Sequence, residues 1–388
     1  MISRVLIYII VLTLLTDGYL HICFLRRQRW WWQLLWWVPS LLLVCLAIWL
    51  SRTPDFVPRD PTWLYLFLLC YSLTVVPKAV FSLCHALGLT LSRWWSKGPA
   101  AGVAAGSVAA IATVCAVLYG TFKGFYDFEV VHVEMSFSDL PKSFDGYRIV
   151  HWSDAHVGTY TGPRQSILKR AVDSINAQRA DMVVFTGDLQ NVSPEEIEPH
   201  RELLSSISAT DGVFSVLGNH DYPVYSGADD FERYADFGRR SSMDEELGWT
   251  LLSNGHRSVR RGSDHIVIAG MENDGPGTPR SPQLGDIQLA LWGVSRDEFV
   301  VMLEHDPTSW RRNILPHSHA QLTLSGHTHA AQLSLLGWSP ASLLYKEAWG
   351  LYRIGERAIY VSKGLGGVLP FRLGAPGEIV VITLRAKR

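Results

Sequence analysis

Short polar words that combine aspartate, asparagine and histidine recur through the C-terminal two-thirds of the sequence. They are Ser153-Asp154-Ala155-His156, Gly187-Asp188, Gly218-Asn219-His220-Asp221, Glu304-His305-Asp306 and Gly326-His327-Thr328-His329. Each word directly follows a short apolar run that predicts a strand. Because ligands collect beyond the carboxyl ends of strands in open α/β sheets, five such strands can deliver these side chains to one edge.

These residue types indicate a site for metal ions. Imidazole, carboxylate and amide oxygen suit divalent Zn, Mn or Fe better than thiolate-preferring ions. Two such ions about 3.5–4 Å apart can hold a bridging hydroxide and clamp a phosphate, and a bound water can reach a pKa of about 7. A carboxylate such as Asp188 can bridge two cations with its two oxygens. One word of this kind is common by chance, whereas the ordered series of five is specific.

The elements that would position these words begin near Asp127. The predicted strands are Val130–Phe137, Tyr147–Ser153, Met182–Thr186, Val213–Leu217, Ile266–Ala269, Phe299–Leu303, Gln321–Leu324, Leu351–Ile354, Ala358–Ser362 and Glu378–Leu384. The predicted helices are Arg164–Gln178, Pro194–Ile207 and Phe231–Leu247. Strands that alternate with helices favour an α/β or layered α-β-β-α domain.

The first 123 residues have a different composition. Four apolar runs reach the roughly 20 residues that a membrane-spanning helix needs. They are Val5–Phe24, Trp31–Leu50, Trp63–Leu87 and Ala100–Phe122. Tryptophans cluster near their ends, as interfacial aromatic belts do. We therefore predict a transmembrane region over residues 1–123 and a second domain over residues 124–388.

Charge and cysteine usage bear on the partners, the type of metal site and the membrane topology of the protein. The net charge of −1 gives no reason to expect a nucleic-acid partner, and no protein partner is predicted. All five cysteines lie in the apolar first third, so the second domain has neither disulfides nor a thiolate metal site. Lys/Arg bias between the loops places the first and third loops in the cytoplasm. The second domain of this multi-pass cell-membrane protein would then be extracytoplasmic.

Lys78 lies inside the third apolar run. An intramembrane lysine is a candidate functional residue, but we expect this one to extend toward the nearby end of its span, beside Arg93 and Lys97. A transporter would need more polar residues along the spans than Lys78, Asp17 and His85.

Taken in order, the five words resemble the calcineurin-like metallophosphoesterase family, whose pattern runs DxH, GDxxD/N, GNHD/E, H, GHxH. The resemblance covers about Tyr147 to Leu384. Gln332 and the tail Gly364–Leu384 are most similar to the YkuE/YaeI-type phosphodiesterase branch, some members of which carry several membrane spans. The resemblance implies an α+β fold: a four-layer α-β-β-α sandwich, here preceded by an all-α transmembrane region of about four helices. It also implies metal-dependent hydrolysis of phosphate esters, diesters more than monoesters.

The resemblance divides seven ligands into two triads that share one carboxylate. The first triad is Asp154, His156 and His329, and the second is Asn219, His305 and His327, with Asp188 between them. His220 would contact the phosphate beside Asn219 or protonate the leaving alkoxide, and Asp221 would orient its ring.

Two positions depart from the family pattern. Asn191 ends the second word where many members have aspartate, so a negative charge is missing there. Asp306 follows His305 where many relatives have threonine, and we expect it to cap the turn at Pro307.

Other residues could be mistaken for site residues. His151 is expected to pack within a strand, and His317 and His319 to lie at the opposite end of the strand that carries His327. Arg372 offers a weak signal for phosphate binding. Gly364-Leu365-Gly366-Gly367 lacks the lysine of a phosphate loop and predicts a tight turn.

The insert Leu333–Trp349 follows the last metal word and is very apolar. It either packs as core and cover, or forms a flap that touches the bilayer or an acyl chain. In the second case the substrate would be a lipid-linked phosphodiester or pyrophosphate. The alternative from another class is a membrane receptor or regulatory protein whose metal domain binds a phosphorylated ligand without turnover. The retention of all seven ligands together with His220 favours the enzyme.

Overall fold

A computed structural model describes residues 1–387. The chain divides into two compact units, Met1–Lys123 and a second that begins at Gly124.

The first unit consists of four long apolar helices, which confirms the predicted membrane region. The helices are α1 (Ile2–Leu20, continued by the π-helical turn His21–Leu25), α2 (Trp30–Leu50), α3 (Thr62–Leu91) and α4 (Gly98–Phe122). All four are long and apolar enough to cross a membrane.

Helices α3 and α4 pack closely through small residues. Gly98, Gly102 and Gly106 recur every four residues on α4 and are buried. A Cβ atom built on Gly102 would lie 2.9 Å from both the Cys84 carbonyl oxygen and the Gly88 Cα. Close backbone approach of this kind is how membrane helices gain packing without a hydrophobic driving force.

Lys78 does not extend toward the end of its span, so that expectation is wrong. Its Nζ lies 2.8 Å from Asp17 Oδ1 on α1 and 3.4 Å from Ser40 Oγ on α2. The ammonium also lies 4.2 Å from the centre of the Trp36 ring. A buried charge in an apolar surrounding is stabilised by an opposite charge, and Asp17 supplies it from a different helix.

The second unit contains two six-stranded sheets and a two-stranded ribbon. The strands are β1 (Phe128–Phe137), β2 (Arg148–Trp152), β3 (Met182–Phe185), β4 (Val213–Ser215), β5 (Thr250–Leu251), β6 (Gly255–Arg261), β7 (Asp264–Gly270), β8 (Asp274–Thr278), β9 (Ser281–Gln283), β10 (Val300–Leu303), β11 (Leu322–Ser325), β12 (Gly350–Ile354), β13 (Arg357–Val361) and β14 (Gly377–Ala386). The first sheet has the order β1-β14-β2-β3-β4-β5, and the second has the order β12-β13-β11-β10-β7-β6.

The helices of this unit are shorter. They are α5 (Gln165–Ala177), α6 (Arg201–Ser205), α7 (Asp230–Glu246), α8 (Ile287–Ala290) and α9 (Leu315–His317). The prediction of one helix over Pro194–Ile207 is wrong, because two 3-10 turns, Pro194–Glu196 and Glu198–His200, precede α6. Pro199 lacks a backbone N–H and cannot sit inside a regular helix without breaking a hydrogen bond.

Three apolar cores stack through this unit. One lies between the sheets, where Ile149 and Val184 of the first sheet meet Ile268 and Val301 of the second. The alternate residues of the same strands face outward, because side chains alternate across a strand. Those of the first sheet pack on α5, and those of the second pack around Trp310 and Ile314. The predicted four-layer α-β-β-α sandwich is confirmed.

Candidate metal centre

All five polar words begin where a strand ends. The words with Asp154, Asp188 and Asn219 follow β2, β3 and β4, which are parallel neighbours in the first sheet. The words with His305 and His327 follow β10 and β11, which are parallel neighbours in the second sheet. Two sheet edges therefore contribute to one site.

The backbone at these words is strained. Asp154, His156, Asp188, His327 and His329 all have φ between 49° and 73°. This left-handed region costs a residue other than glycine roughly 1–2 kcal/mol. Five of the eleven non-glycine residues with positive φ in the described chain are thus predicted ligands. Such strain persists where the surroundings over-determine it, as they do at functional sites.

Two glycines of the words allow close approach to the carboxylates. A Cβ on Gly218 would lie 2.3 Å from Asp188 Oδ1, and a Cβ on Gly326 would lie 2.2 Å from Asp154 Oδ2. No side chain fits at these distances, so glycine is required beside each carboxylate.

The first group of converging ligand atoms is Asp154, His156, Asp188 and His329. His329 Nε2 lies 3.3 Å from His156 Nε2 and 3.3 Å from Asp154 Oδ1. His156 Nε2 lies 3.6 Å from Asp188 Oδ2. Four ligand atoms from both sheets therefore face one another.

The second group is Asp188, His305 and His327, and the amide of Asn219 joins it. Asn219 Oδ1 lies 2.8 Å from His327 Nδ1 and 3.2 Å from His305 Nε2. His305 Nε2 lies 3.3 Å from Asp188 Oδ2.

Asp188 connects the groups through one oxygen rather than two. Its Oδ2 faces both His156 and His305. Its Oδ1 accepts a hydrogen bond from the backbone N–H of His220 at 2.7 Å. Oδ1 keeps a second lone pair beside this hydrogen bond, so the bridging role expected for Asp188 stays a prediction.

The donor set fits two divalent cations. Ligand atoms about 2.0–2.2 Å from one ion are ~3.0–3.4 Å from each other in tetrahedral or octahedral geometry, close to the separations above. Burial lowers the pKa of His156 well below its usual range and that of His329 to about 4. Both imidazoles are therefore neutral near pH 7 and offer the lone pair that a metal requires.

The electrostatics around Asp188 also favour cations. Burial acts to raise the pKa of Asp188, but the imidazoles around it, His305 first, hold this pKa well below its usual range. Burial acts to lower the pKa of His305, yet the adjacent Asp188 carboxylate outweighs it and raises this pKa to about 10. The centre of the site is thus a buried negative charge that attracts positive charge.

His220 lies against the first group without belonging to it. Its ring centre is 4.9 Å from that of His156, and its Nδ1 lies 2.6 Å from the carbonyl oxygen of Asn191. A carbonyl can only accept, so Nδ1 carries a proton and Nε2 is the atom that exchanges one. The neutral side chain of Asn191 does not change this contact, because the main chain makes it.

The carboxylate of Asp221 accepts hydrogen bonds from backbone N–H groups and from one arginine. Its Oδ2 accepts from the backbone N–H groups of Asp188 and Gly218, and its Oδ1 accepts from that of Leu189. Buried Arg240 on α7 completes the set at 2.9 Å from Oδ1. Asp221 therefore ties the second and third words together, and the carbonyl of Asn191 orients His220.

Two tyrosines that sequence reasoning missed complete the surroundings. Tyr225 stacks on His220, and its hydroxyl accepts from Asn219 Nδ2 at 2.7 Å and donates to the carbonyl of Arg280. This contact turns the amide oxygen of Asn219 toward the second group. The hydroxyl of Tyr345 lies 3.1 Å from His327 Nε2. No periodicity marks either tyrosine in the sequence.

Asp306 combines two functions. Its Oδ1 accepts from the backbone N–H and the hydroxyl of Thr308, which is the predicted turn cap. Its Oδ2 lies 3.8 Å from His327 Nε2. Outer partners of this kind hold a ligating imidazole in orientation.

The remaining candidates lie outside the ligand groups. His151 is fully buried in β2 with its Nε2 2.8 Å from the Thr186 hydroxyl, and His317 and His319 precede β11. Arg372 is buried and donates to backbone carbonyls, among them those of Lys363 and Gly364. It therefore secures the loop that follows β13.

Comparisons with known proteins agree with this geometry. The family model described as Calcineurin-like phosphoesterase matches residues 147–331. The model described as Probable Calcineurin-like phosphoesterase, transmembrane domain, matches residues 3–125. A two-sheet sandwich with this ligand set defines a metal-dependent phosphoester hydrolase.

Three relatives span both units or the second unit. The transmembrane protein with metallophosphoesterase domain of Danio rerio is 31% identical over 85% of this chain and 75% of its own length. The uncharacterized metallophosphoesterase YkuE of Bacillus subtilis is 32% identical over 64% of this chain and 82% of its own length. The UDP-2,3-diacylglucosamine pyrophosphatase LpxG of Chlamydia muridarum is 26% identical over 63% of this chain and 86% of its own length. The chain belongs to the calcineurin-like metallophosphoesterase family, in its membrane-spanning form.

Proposed function

We propose that this protein is a membrane-anchored, two-metal phosphodiesterase whose substrate is a lipid-linked phosphodiester or pyrophosphate. The observation that carries the proposal is that two groups of candidate ligand side chains share Asp188, with Asn219 beside the second group and His220 beside the first. Asp154, His156 and His329 would hold one ion, and Asn219, His305 and His327 the other. Two divalent ions (Mn, Zn or Fe), when bound, would polarise the phosphate and lower the pKa of water.

The protein side chains have separate tasks in hydrolysis. A water oxygen forms a bond to phosphorus, and the bond from phosphorus to the leaving alkoxide breaks. The water releases a proton, which restores the Nε2 proton of His220 by way of the solvent. His220 delivers a proton from Nε2 to that alkoxide, while its Nδ1–H stays bonded to the Asn191 carbonyl. General acid catalysis of this kind contributes about 10²–10⁴-fold.

The charge of the site favours a diester. In the described residues 1–387, no lysine or arginine donates a hydrogen bond to any of the seven ligands. A diester carries one negative charge and a monoester two, so a site in which no lysine or arginine is bonded to these ligands suits the diester. The LpxG relative is a UDP-2,3-diacylglucosamine pyrophosphatase, and this similarity supports a lipid-linked substrate.

The direct test uses full-length protein in detergent or nanodiscs. We expect hydrolysis of bis(p-nitrophenyl) phosphate, loss of activity with EDTA and recovery with Mn²⁺. Asp188→Ala should abolish both activity and metal content, while the matched control Asp173→Ala, on the exposed face of α5, should retain both. Full activity in Asp188→Ala would refute the two-metal assignment.

His220→Asn tests the acid separately. It should keep the metal content and lose more activity on an alkyl diester than on the nitrophenyl diester, since nitrophenolate leaves without protonation. Equal losses on the two substrates would contradict the role of His220.

We also infer that the catalytic unit lies outside the cytoplasm. The support is the Lys/Arg bias of the loops at Arg26–Arg29 and Arg93–Lys97. Alkaline phosphatase fused after residue 388 should be active in a bacterial host, whereas green fluorescent protein fused at the same position should not fluoresce. The reverse pattern would overturn this orientation.

A further inference from the structure

The insert Leu333–Trp349 carries a set of exposed apolar side chains beside the metal centre. The exposed fractions are 70% for Leu335, 99% for Leu336, 53% for Trp338, 74% for Leu343 and 81% for Leu344. Core and cover packing therefore fails for these five side chains. Clusters of large exposed apolar residues mark surfaces that meet a partner or a membrane.

The tip of the insert is apolar at a position where turn chemistry disfavours it. Leu335 and Trp338 exchange both backbone hydrogen bonds, at 2.8 and 3.0 Å. Leu336 and Gly337 between them have φ of 51° and 80°. Two-residue turns with this backbone prefer asparagine, aspartate or glycine. A fully exposed leucine there is unfavourable for both backbone and solvation, which points to a role outside folding.

The insert is held in place rather than loose. The Ser339 hydroxyl donates to the Ala330 carbonyl and caps the turn Pro340–Leu343 by accepting from Ala341 N–H. Ser334 N–H donates to the carbonyl of Leu373. The apolar tip is thus displayed on a framework that starts at the last metal word.

The exposed surface of the insert contains no negative charge. Glu347, the one acidic residue between positions 333 and 349, is buried and lies 2.7 Å from Arg311 Nε. Lys346 is exposed. This combination of leucines, a tryptophan and one cation is compatible with an anionic lipid surface.

The same insert reaches the metal centre. Tyr345 directly follows Leu344, and its hydroxyl lies 3.1 Å from His327 Nε2. Whatever covers the two leucines at 343 and 344 therefore also lies close to the second ligand group.

The chain itself brings the second unit to a bilayer. Residues 123–127 join the last span, α4, to β1. Five residues extend at most about 18 Å. A lipid surface is therefore within reach of this unit throughout the life of the protein.

We propose that the insert 333–349 is a bilayer-docking loop, which seats its apolar tip in the lipid of the membrane that the same chain spans and holds the metal centre at that surface. Leu335, Leu336 and Trp338 form one contact and Leu343 and Leu344 the other, with Lys346 at the head groups. Docking is independent of hydrolysis, whereas delivery of a lipid-borne substrate rests on the proposed function.

Fluorescence quenching tests the lipid contact directly. The five native cysteines are replaced, and Leu336→Cys or Leu344→Cys is labelled with an environment-sensitive fluorophore in the full chain in nanodiscs. Lipids with a nitroxide near the head group should quench both labels. Ser258→Cys, exposed on β6 at the opposite edge of the second sheet from β12, is the matched control and should stay unquenched.

Two results would overturn the proposal. Labels at 336 and 344 that remain water-exposed show that the tip does not meet lipid. Labels that are shielded from water but not quenched show that protein covers it, for example a second copy of this chain. Both labelled positions are exposed, so neither substitution threatens folding.

Hydrolysis rates of a soluble and a membrane-bound substrate then test docking of the insert separately from the proposed enzymatic function. Leu336→Asp and Leu344→Asp should leave hydrolysis of bis(p-nitrophenyl) phosphate unchanged. Each should lower hydrolysis of an umbelliferyl diester of a long-chain alcohol in nanodiscs by about 10-fold, the transfer preference of one leucine. Quenching without any hydrolysis would refute the proposed function alone, and hydrolysis without quenching would refute docking alone.

Discussion

The phenol ring of Tyr225 lies parallel to the imidazole of His220, with ring centres 3.9 Å apart and planes 4° apart. The same hydroxyl accepts from the amide of Asn219. One side chain therefore fixes both a predicted ligand and the predicted acid, which are neighbours in the chain.

Tyr225→Phe should separate these two contacts. Phenylalanine keeps the ring against His220 but cannot accept from Asn219 Nδ2, so the amide is free to turn. We expect about 10-fold weaker binding of Mn²⁺ or Zn²⁺ with little change in kcat at saturating metal. Titration of the metal-free protein with Mn²⁺ or Zn²⁺ measures the dissociation constant. Tyr234→Phe on the exposed face of α7 is the control, and equal affinity in both variants would count against the role of Tyr225.

Glu196 holds the loop that orients His220. Its carboxylate accepts from the backbone N–H of Asn191 at 2.6 Å, of Val192 at 3.0 Å and of Ser193 at 3.3 Å. Glu196→Gln removes one acceptor oxygen, so we expect kcat to fall about 10-fold while metal content stays the same. The neighbouring Glu195→Gln serves as control. A fall in metal content instead of kcat would show that the loop supports the ligands and not His220.

Gly218→Ala should disturb the ligands without unfolding the domain. The added methyl group would lie 2.3 Å from Asp188 Oδ1 and 2.6 Å from its backbone nitrogen, so the Asp188 carboxylate must move. We expect at least a 10-fold loss of metal affinity, read by elemental analysis after dialysis. Gly238→Ala in α7, where nothing lies within 4 Å, should retain the metal and gain up to about 1 kcal/mol of stability. Unchanged metal content in Gly218→Ala would contradict the packing described.

The pair between Lys78 and Asp17 should stabilise the membrane unit. Asp17→Leu or Lys78→Met alone leaves one charge among the spans at a cost of about 2.5–3.5 kcal/mol. The double variant removes both charges and should recover most of the loss. Thermal unfolding in detergent, monitored by size-exclusion chromatography, measures the stability of each variant. Arg93→Met is the control. A double variant no more stable than either single variant would show that the pair is not the stabilising feature.

The meeting of the candidate ligand residues at one place was predictable, because metal chemistry restricts residue types within short words that follow strands. Asp154, Asp188 and His305 could be recognised from such words alone. Tyr225, Glu196 and Arg240 could not, because they act through contacts between loops and helices that no local pattern encodes.

The strands, like the site residues, could be predicted only where the local sequence carries a clear pattern. Strand β10 is a continuous apolar run and was predictable, whereas β6 exposes Arg257, Ser258 and Arg260 at a sheet edge and shows little apolar alternation. The ribbon of β8 and β9 is rich in glycine and proline. The partner of Lys78 was not predictable either, because Asp17 lies in another helix and pairing across helices has no sequence period.

Strand β14 lies between β1 and β2 and pairs with both. Strand β1, the first strand after the membrane region, thus waits for residues 377–386, which form the last strand described in this unit. Until then β1 has no neighbour, and the space between the sheets stays open on that side. We therefore expect the second unit to close only after residues 377–386 have been made, since pairing between strands so distant in sequence is slow. During translation the emerging segments depend on chaperones or on the translocation machinery for protection from aggregation.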